Sequence, residues 1–215
     1  DRDIKVVQLT DVHIGGGWMG KAKDLKAINA VAAMILEEKP DVVITTGDIS
    51  YPVPFTAGTF NNQYAARIYA TLMEQLSVYW TPTLGNHDSE IYSIYKREKM
   101  GEFYSSDEWK NSLFLPGDEN VDGVGNNVIK VKNSDGVITQ ALITIDTNDY
   151  PKESTFAGIV AGLTGNYDNI HENQIEWYKN ACEALNAENK AFIEKTFDGD
   201  EKSQLLEKYS LVKSL

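Results

Sequence analysis

Three short stretches carry donors able to hold a metal ion: Asp11-Val12-His13, Gly47-Asp48 and Gly85-Asn86-His87-Asp88. Together they offer carboxylates, two imidazoles and an amide. Mixed oxygen and nitrogen ligation suits Mn, Fe or Zn better than calcium. Each stretch alone has an ordinary reading. Asp-x-His is common, Gly-Asp after a strand is more often a turn, and Asn-His-Asp is usually a polar loop. Their weight comes from occurring in order, at nearly equal intervals, each closing an apolar, β-branched run.

The elements that must position these donors can be read from periodicity. Ile4 to Leu9 reads as a buried strand. Lys21 to Glu38 places Leu25, Ile28, Val31, Ala32, Ile35 and Leu36 on one helical face, and Pro40 stops that helix. Val42 to Thr46 is a second strand, so a right-handed crossover makes the first two strands parallel. Gln63 to Leu76 is again helical, through Ala66, Tyr69, Ala70, Met73 and Leu76. Val78 to Leu84 is a third strand, in which Pro82 suits a strand end or an irregular edge. Ligands of open α/β sheets bind beyond the carboxyl ends of the strands. Neighbouring strands lie ~4.8 Å apart, so the three sets of donors can converge on one or two cations. Asp11 and His13 are two apart, which points both side chains the same way if the segment is extended.

Past His87 the pattern changes. Glu90 to Glu102 reads as a helix. Asn127 to Lys132 and Val137 to Asp146, joined by Asn133-Ser134-Asp135-Gly136, read as an antiparallel hairpin. Asn148 to Asn169 is a long polar loop of the kind that usually has a function. From Glu172 a helix places Ile175, Tyr178, Cys182 and Leu185 on one face. Residues 190–215 read as a helix continuation, a turn and a further amphipathic helix, with no final strand. The expected division is therefore a domain over 1–189 and a helical segment over 190–215.

Composition bounds the function classes. A net charge of −12 argues against nucleic acid as the main partner, because phosphate backbones need Lys and Arg surfaces. The single Cys182 excludes an internal disulfide. No apolar run approaches the ~20 residues of a membrane span. The expectation is a soluble domain. The start at Asp1 leaves open a cytoplasmic protein or an exported one that has lost a signal or anchor. The oligomeric state is not legible.

With these residues in place, the chain resembles the calcineurin-like metallophosphoesterase superfamily. The likeness covers about residues 4–189, and Gln174-Ile175-Glu176-Trp177-Tyr178 is similar to the Gln-x-x-Trp-Leu helix start of many members. It implies an αββα sandwich: a parallel βαβαβ first half, then an antiparallel hairpin. It also implies hydrolysis of a phosphomonoester or phosphodiester by a metal-bound hydroxide, with two cations ~3.5–4 Å apart clamping the phosphate. Carried over by position, Asp11 and His13 hold the first metal, Asp48 bridges both and Asn86 holds the second. His87 sits beside the leaving group, and Asp88 orients His87 or supports the loop. Tyr51 is similar to the ligand tyrosine of purple acid phosphatases, but those lack the histidine of Asp-x-His; otherwise it is a cleft wall. The family's later histidines have no counterpart, since residues 172–215 contain none. The C-terminal part is expected to be missing or replaced, and this chain to hold one or two ions with weak or absent activity.

Two other readings compete. A metal-binding or protein-interaction module would keep the fold without catalysis, using aromatics such as Tyr92, Tyr95, Phe103, Tyr104 and Trp109. Gly15-Gly16-Gly17-Trp18-Met19-Gly20 formally matches a dinucleotide fingerprint. Thr10 to Ile14, however, separate it from the strand, and the required acidic residue is only loosely matched by Asp48. His171 precedes Gln174 and reads as a solvent-facing helix-start residue rather than a ligand.

Overall fold

The computed structural model describes residues 2–150 and 167–214. Three parallel strands, β1 (Val6–Leu9), β2 (Val42–Thr46) and β3 (Tyr79–Thr83), form the first sheet in the order β1-β2-β3. The register sets Val6 opposite Val42, and Val42 opposite Tyr79. Helix α1 (Lys21–Glu38) joins β1 to β2; a short α2 (Pro54–Ala57) and α3 (Asn62–Gln75) join β2 to β3. After β3 come α4 (Arg97–Tyr104), the hairpin β4 (Asn127–Lys132) and β5 (Ile138–Thr144), then α5 (Glu172–Thr196), α6 (Gly199–Tyr209) and β6 (Lys213–Ser214).

Helix α1 ends at Lys39, whose left-handed φ of 47° returns its N–H to the Ile35 carbonyl just before Pro40. Its buried stripe runs through Asp24, Val31 and Ile35, whereas Leu25 and Leu36 face outward. Helix α3 buries Ala66, Tyr69, Ala70 and Met73 completely, as its spacing predicts. These helices pack on the face of the first sheet that carries Leu9, Val43 and Trp80. The proline in β3 is tolerated because of the pleat. Trp80 donates to Asn111 and accepts from Leu113 on the outer edge, so Pro82, two residues on, turns its missing donor to that side.

The second sheet, β4-β5-β6, is antiparallel in its first pair. The predicted turn is present: Asn133 accepts from the N–H of Asp135 and Val137, and Gly136 takes a φ of +87°. The expectation of no final strand is corrected. Residues 213–214 pair in parallel with Gln140 and Ala141. Helix α5 passes Asn189 unbroken. That buried amide bonds both the N–H and the C=O of Ile138, and the carbonyl of Tyr209. The layers are therefore helix, sheet, sheet, helix. Of the face predicted for α5, Leu185 is buried but Ile175 is exposed.

The predicted helix over Glu90–Glu102 forms only from Arg97. Upstream, the backbone finds partners outside a helix. The buried Asn62 side chain bonds the Asp88 carbonyl and both the N–H and C=O of Tyr95. The Lys96 ammonium takes the carbonyls of Glu90, Ile91 and Ser93. Satisfied this way, the segment gains little from helix hydrogen bonds. The predicted Asn148–Asn169 loop lies mostly outside the described residues. Among those described, no helix is long and apolar enough to cross a membrane.

Candidate metal centre

The first two motif loops stay zipped together beyond their strands. Asp11 donates to the Gly47 carbonyl at 3.2 Å, His13 to Asp48 at 3.0 Å and Ile14 to Ile49 at 2.8 Å. Within this zipper Asp11, His13 and Asp48 have φ of 54°, 52° and 55°. Left-handed non-glycine residues cost about 1–3 kcal/mol each and cluster at functional sites. The extended Asp-x-His geometry is thus corrected: two left-handed residues, not a pleat, set where these side chains go. Two glycines let the second and third motif loops approach, and the second of them makes room for the Asp48 carboxylate. Gly47 takes a φ of +90°, and a Cβ on Gly85 would stand 2.1 Å from Asp48 Oδ1.

His13, Asp48 and His87 bring one donor atom each within 4.8 Å of one another. His13 Nε2 lies 3.7 Å from Asp48 Oδ2 and 3.4 Å from Asp11 Oδ1. It is buried, yet makes no hydrogen bond among the described residues. Leaving a buried imidazole nitrogen unpaired is costly, and a cation shared with Asp48 and Asp11 would satisfy it. These residues fit one ion. Asp11 is the most open of them, with 59% of its side chain exposed.

Asn86 lines a cavity of about 620 Å³ between the facing sheets, together with Val6, Ile44, Leu142 and Asp48. Its amide points to the Tyr150 hydroxyl at 3.5 Å. Among the described residues, no third histidine joins Asp48 and Asn86. The Tyr51 ring packs between the imidazoles, stacked on His13 at 4.9 Å and edge-on to His87 at 4.4 Å.

Asp88 makes no hydrogen bond to the His87 ring. It is fully buried and accepts four hydrogen bonds: from the N–H groups of Asp48, Gly85 and Ser50, and from the Ser50 hydroxyl. It therefore ties the second motif loop to the third. Burial pushes its carboxyl pKa up, against the donors of Ser50 and Gly85. The His87 imidazole is held instead by Glu90, at 2.7 Å from Nδ1, while the His87 N–H donates to Asp48 at 2.9 Å. The Glu90 carboxylate raises the His87 pKa above its ordinary value, against the effect of burial.

Sequence reasoning missed Glu90, three residues past His87; that i,i+3 spacing across a short 3₁₀ turn was the available signal. It also missed the pair Arg97–Asp146. Arg97 grips the buried Asp146 with two nitrogens and bonds the carbonyls of Leu84 and Gly85, locking the third motif loop to the end of β5. Gln174 completes this knot. It accepts from His171 N–H and donates to the Asp146 carbonyl, which gives its motif a physical role.

The Gly15–Gly20 loop is already spoken for. Asp24 accepts the N–H groups of Gly15 and Gly16 at 2.9 Å each, so a carboxylate sits where the fingerprint reading would put a phosphate.

His171 stands at the start of α5 with its ring between Asp122, at 2.8 Å, and Asp168, at 3.1 Å. Both carboxylates raise its pKa, Asp122 foremost. A raised histidine stabilises the fold fully below its unfolded pKa of about 6.5 and loses that contribution as pH rises through the folded value. Urea midpoints are therefore expected to fall modestly above pH ~6.5 in the parent chain. In His171→Gln that pH dependence should shrink to the part contributed by His87, whose pKa is also raised.

The chain matches the family described as calcineurin-like phosphoesterase over residues 4–209. It is 25% identical over 209 residues to probable inactive purple acid phosphatase 14 of Arabidopsis thaliana, covering 88% of this chain and 49% of that protein. It is also 25% identical over 199 residues to probable inactive purple acid phosphatase 28 of the same plant, covering 82% of this chain and 47% of that one. The chain thus spans about half the length of these curated relatives. Its structure is similar to that of a dimetal phosphatase from Danio rerio, with a TM-score of 0.55 and 12% identity, over 88% of this chain and 68% of that one. At such low identity this likeness shows the fold alone.

Proposed function

Because the chain belongs to the calcineurin-like phosphoesterase family, we propose that its strand-end cluster supports metal-dependent hydrolysis of a phosphomonoester or phosphodiester. The observation that carries this reading is His13 Nε2, buried and without a hydrogen-bond partner among the described residues, beside Asp48 and Asp11. Asp11, His13 and Asp48 would hold a first ion of Mn, Fe or Zn. Asp48 and Asn86 would contribute to a second. A bound ion supplies Lewis acidity toward a phosphoryl oxygen and makes nearby water more acidic. His87 would stand beside the departing oxygen and give it a proton. Asp88 would act by holding both loops in register. Tyr51 would wall the cleft and keep the two imidazoles in place.

A second reading has its own support. Two relatives are named inactive, and the third histidine of this chain is engaged by Asp122 and Asp168. A chain that holds one ion without turnover would fit both observations.

Calorimetric titration with Mn²⁺, followed by assay of p-nitrophenyl phosphate and its bis-ester, separates the two. The expected result is uptake near one equivalent, with slow, Mn²⁺-dependent release of nitrophenolate that His87→Ala abolishes. Uptake without turnover favours the second reading. No uptake overturns both.

A further inference from the structure

We propose that Glu90 is a positioning residue for His87: it holds Nδ1 and leaves Nε2 as the nitrogen available to the reacting groups. This rests on phosphoester hydrolysis as the reaction of the site.

The geometry is specific. Glu90 Oε1 lies 2.7 Å from His87 Nδ1, and only 12% of the Glu90 side chain is exposed. A carboxylate has no proton to offer, so the proton of this bond belongs to Nδ1. With Nδ1 occupied, Nε2 is the ring nitrogen left over, on a residue that belongs to the same donor cluster as His13 and Asp48. An imidazole oriented by a carboxylate on one nitrogen presents the other in a fixed tautomer.

Glu90 is itself fixed. Its carbonyl accepts from the N–H of Ser93 and from the Lys96 ammonium, which holds the main chain at this turn. The Tyr150 hydroxyl approaches the same Oε1 at 3.4 Å. From the other side, Tyr51 packs edge-on against the His87 ring. The imidazole is thus held by one hydrogen bond and by two aromatic neighbours, His13 and Tyr51. Asp88, the acidic neighbour in sequence, is spent on four donors elsewhere. No other carboxylate bonds the His87 ring among the described residues.

The test compares the full chain with Glu90→Ala and Glu90→Gln, using imidazole ¹⁵N resonances and Mn²⁺-supported hydrolysis of p-nitrophenyl phosphate. In the parent, the neutral His87 ring should carry its proton on Nδ1, so that the further proton given to the departing oxygen is the one on Nε2. Glu90→Ala should release that preference and lower kcat about 10–100-fold, the usual effect of losing an orienting partner. KM, Mn²⁺ uptake and the melting temperature should stay as in the parent. Glu90→Gln, which keeps an acceptor but loses the charge, should fall between. An unchanged tautomer in Glu90→Ala overturns the proposal. So does an unchanged kcat, or a fall in kcat that only follows lost Mn²⁺ uptake or stability. If the parent shows no turnover, the hydrolytic reading fails by itself, and the tautomer measurement still decides whether Glu90 sets the ring.

Discussion

Asp88→Asn is expected to destabilise the fold by about 2–4 kcal/mol, read as a lower urea midpoint at unchanged slope. The buried carboxylate accepts from Asp48 and Gly85 N–H on Oδ2, at 2.8 and 2.9 Å, and from Ser50 N–H and hydroxyl on Oδ1, at 2.8 and 2.9 Å. An amide has one acceptor end and one donor end. With its NH₂ at the first position it faces two backbone donors. At the second it faces one, because the Ser50 hydroxyl can rotate. Even the cheaper arrangement leaves the Ser50 N–H buried and unpaired, at a cost of about 1–3 kcal/mol, and loses charge-assisted bonds. Part of this is offset, because neutralising a buried carboxylate recovers the desolvation that raises its pKa. Since Asp48 and Ser50 hang from the same carboxylate, Mn²⁺ uptake should weaken as well. A variant with parental stability and uptake but no turnover would assign Asp88 to the chemistry instead.

The parts of this protein that a reader of the sequence can reach are those set by local periodicity. Val42–Thr46 and Ala66-Tyr69-Ala70-Met73 declare themselves because a buried strand and a helix face each impose a repeat. Once three strands are placed, their ends must hold Asp11, Asp48 and Asn86. What escapes is set by contacts distant in sequence. Asn62 reaches Asp88 and Tyr95, and so cancels a helix that the composition of Glu90–Glu102 favours. Arg97 meets Asp146 from another layer. The two-residue β6 is specified by its neighbour β5 rather than by its own residues. Backbone φ is equally silent. Nothing in the letters Asp-Val-His announces two left-handed residues, although they decide where those donors point. Burial of polar groups also misleads the eye. Asp24 occupies a core-facing helical position that hydrophobic spacing would give to an apolar residue, and it is filled by a carboxylate because Gly15 and Gly16 present two N–H groups to it.

Asp48→Asn should separate binding from folding. The amide oxygen can still accept the His87 N–H that Asp48 Oδ1 now takes at 2.9 Å, so the third motif loop keeps its anchor. The loss is one charge-assisted hydrogen bond turned neutral, and the change in stability should stay near 1 kcal/mol. The effect on the metal is of another order. Asp48 is the carboxylate in the converging group, and the other two members, His13 and His87, are imidazoles. Asp11 lies nearby but is mostly solvated, so it compensates poorly. Removing even a supporting partner of a metal ligand costs about 10–100-fold in affinity, and loss of the shared anion should cost at least that. Titration with Mn²⁺ is therefore expected to show uptake falling out of the measurable range, and Mn²⁺-supported hydrolysis of p-nitrophenyl phosphate to disappear with it. The melting temperature without metal should move by only a few degrees. Retained uptake in Asp48→Asn would mean that the ion is held elsewhere. The unpaired His13 Nε2 would then have no cation to answer it, and the metal assignment would fail at its central residue.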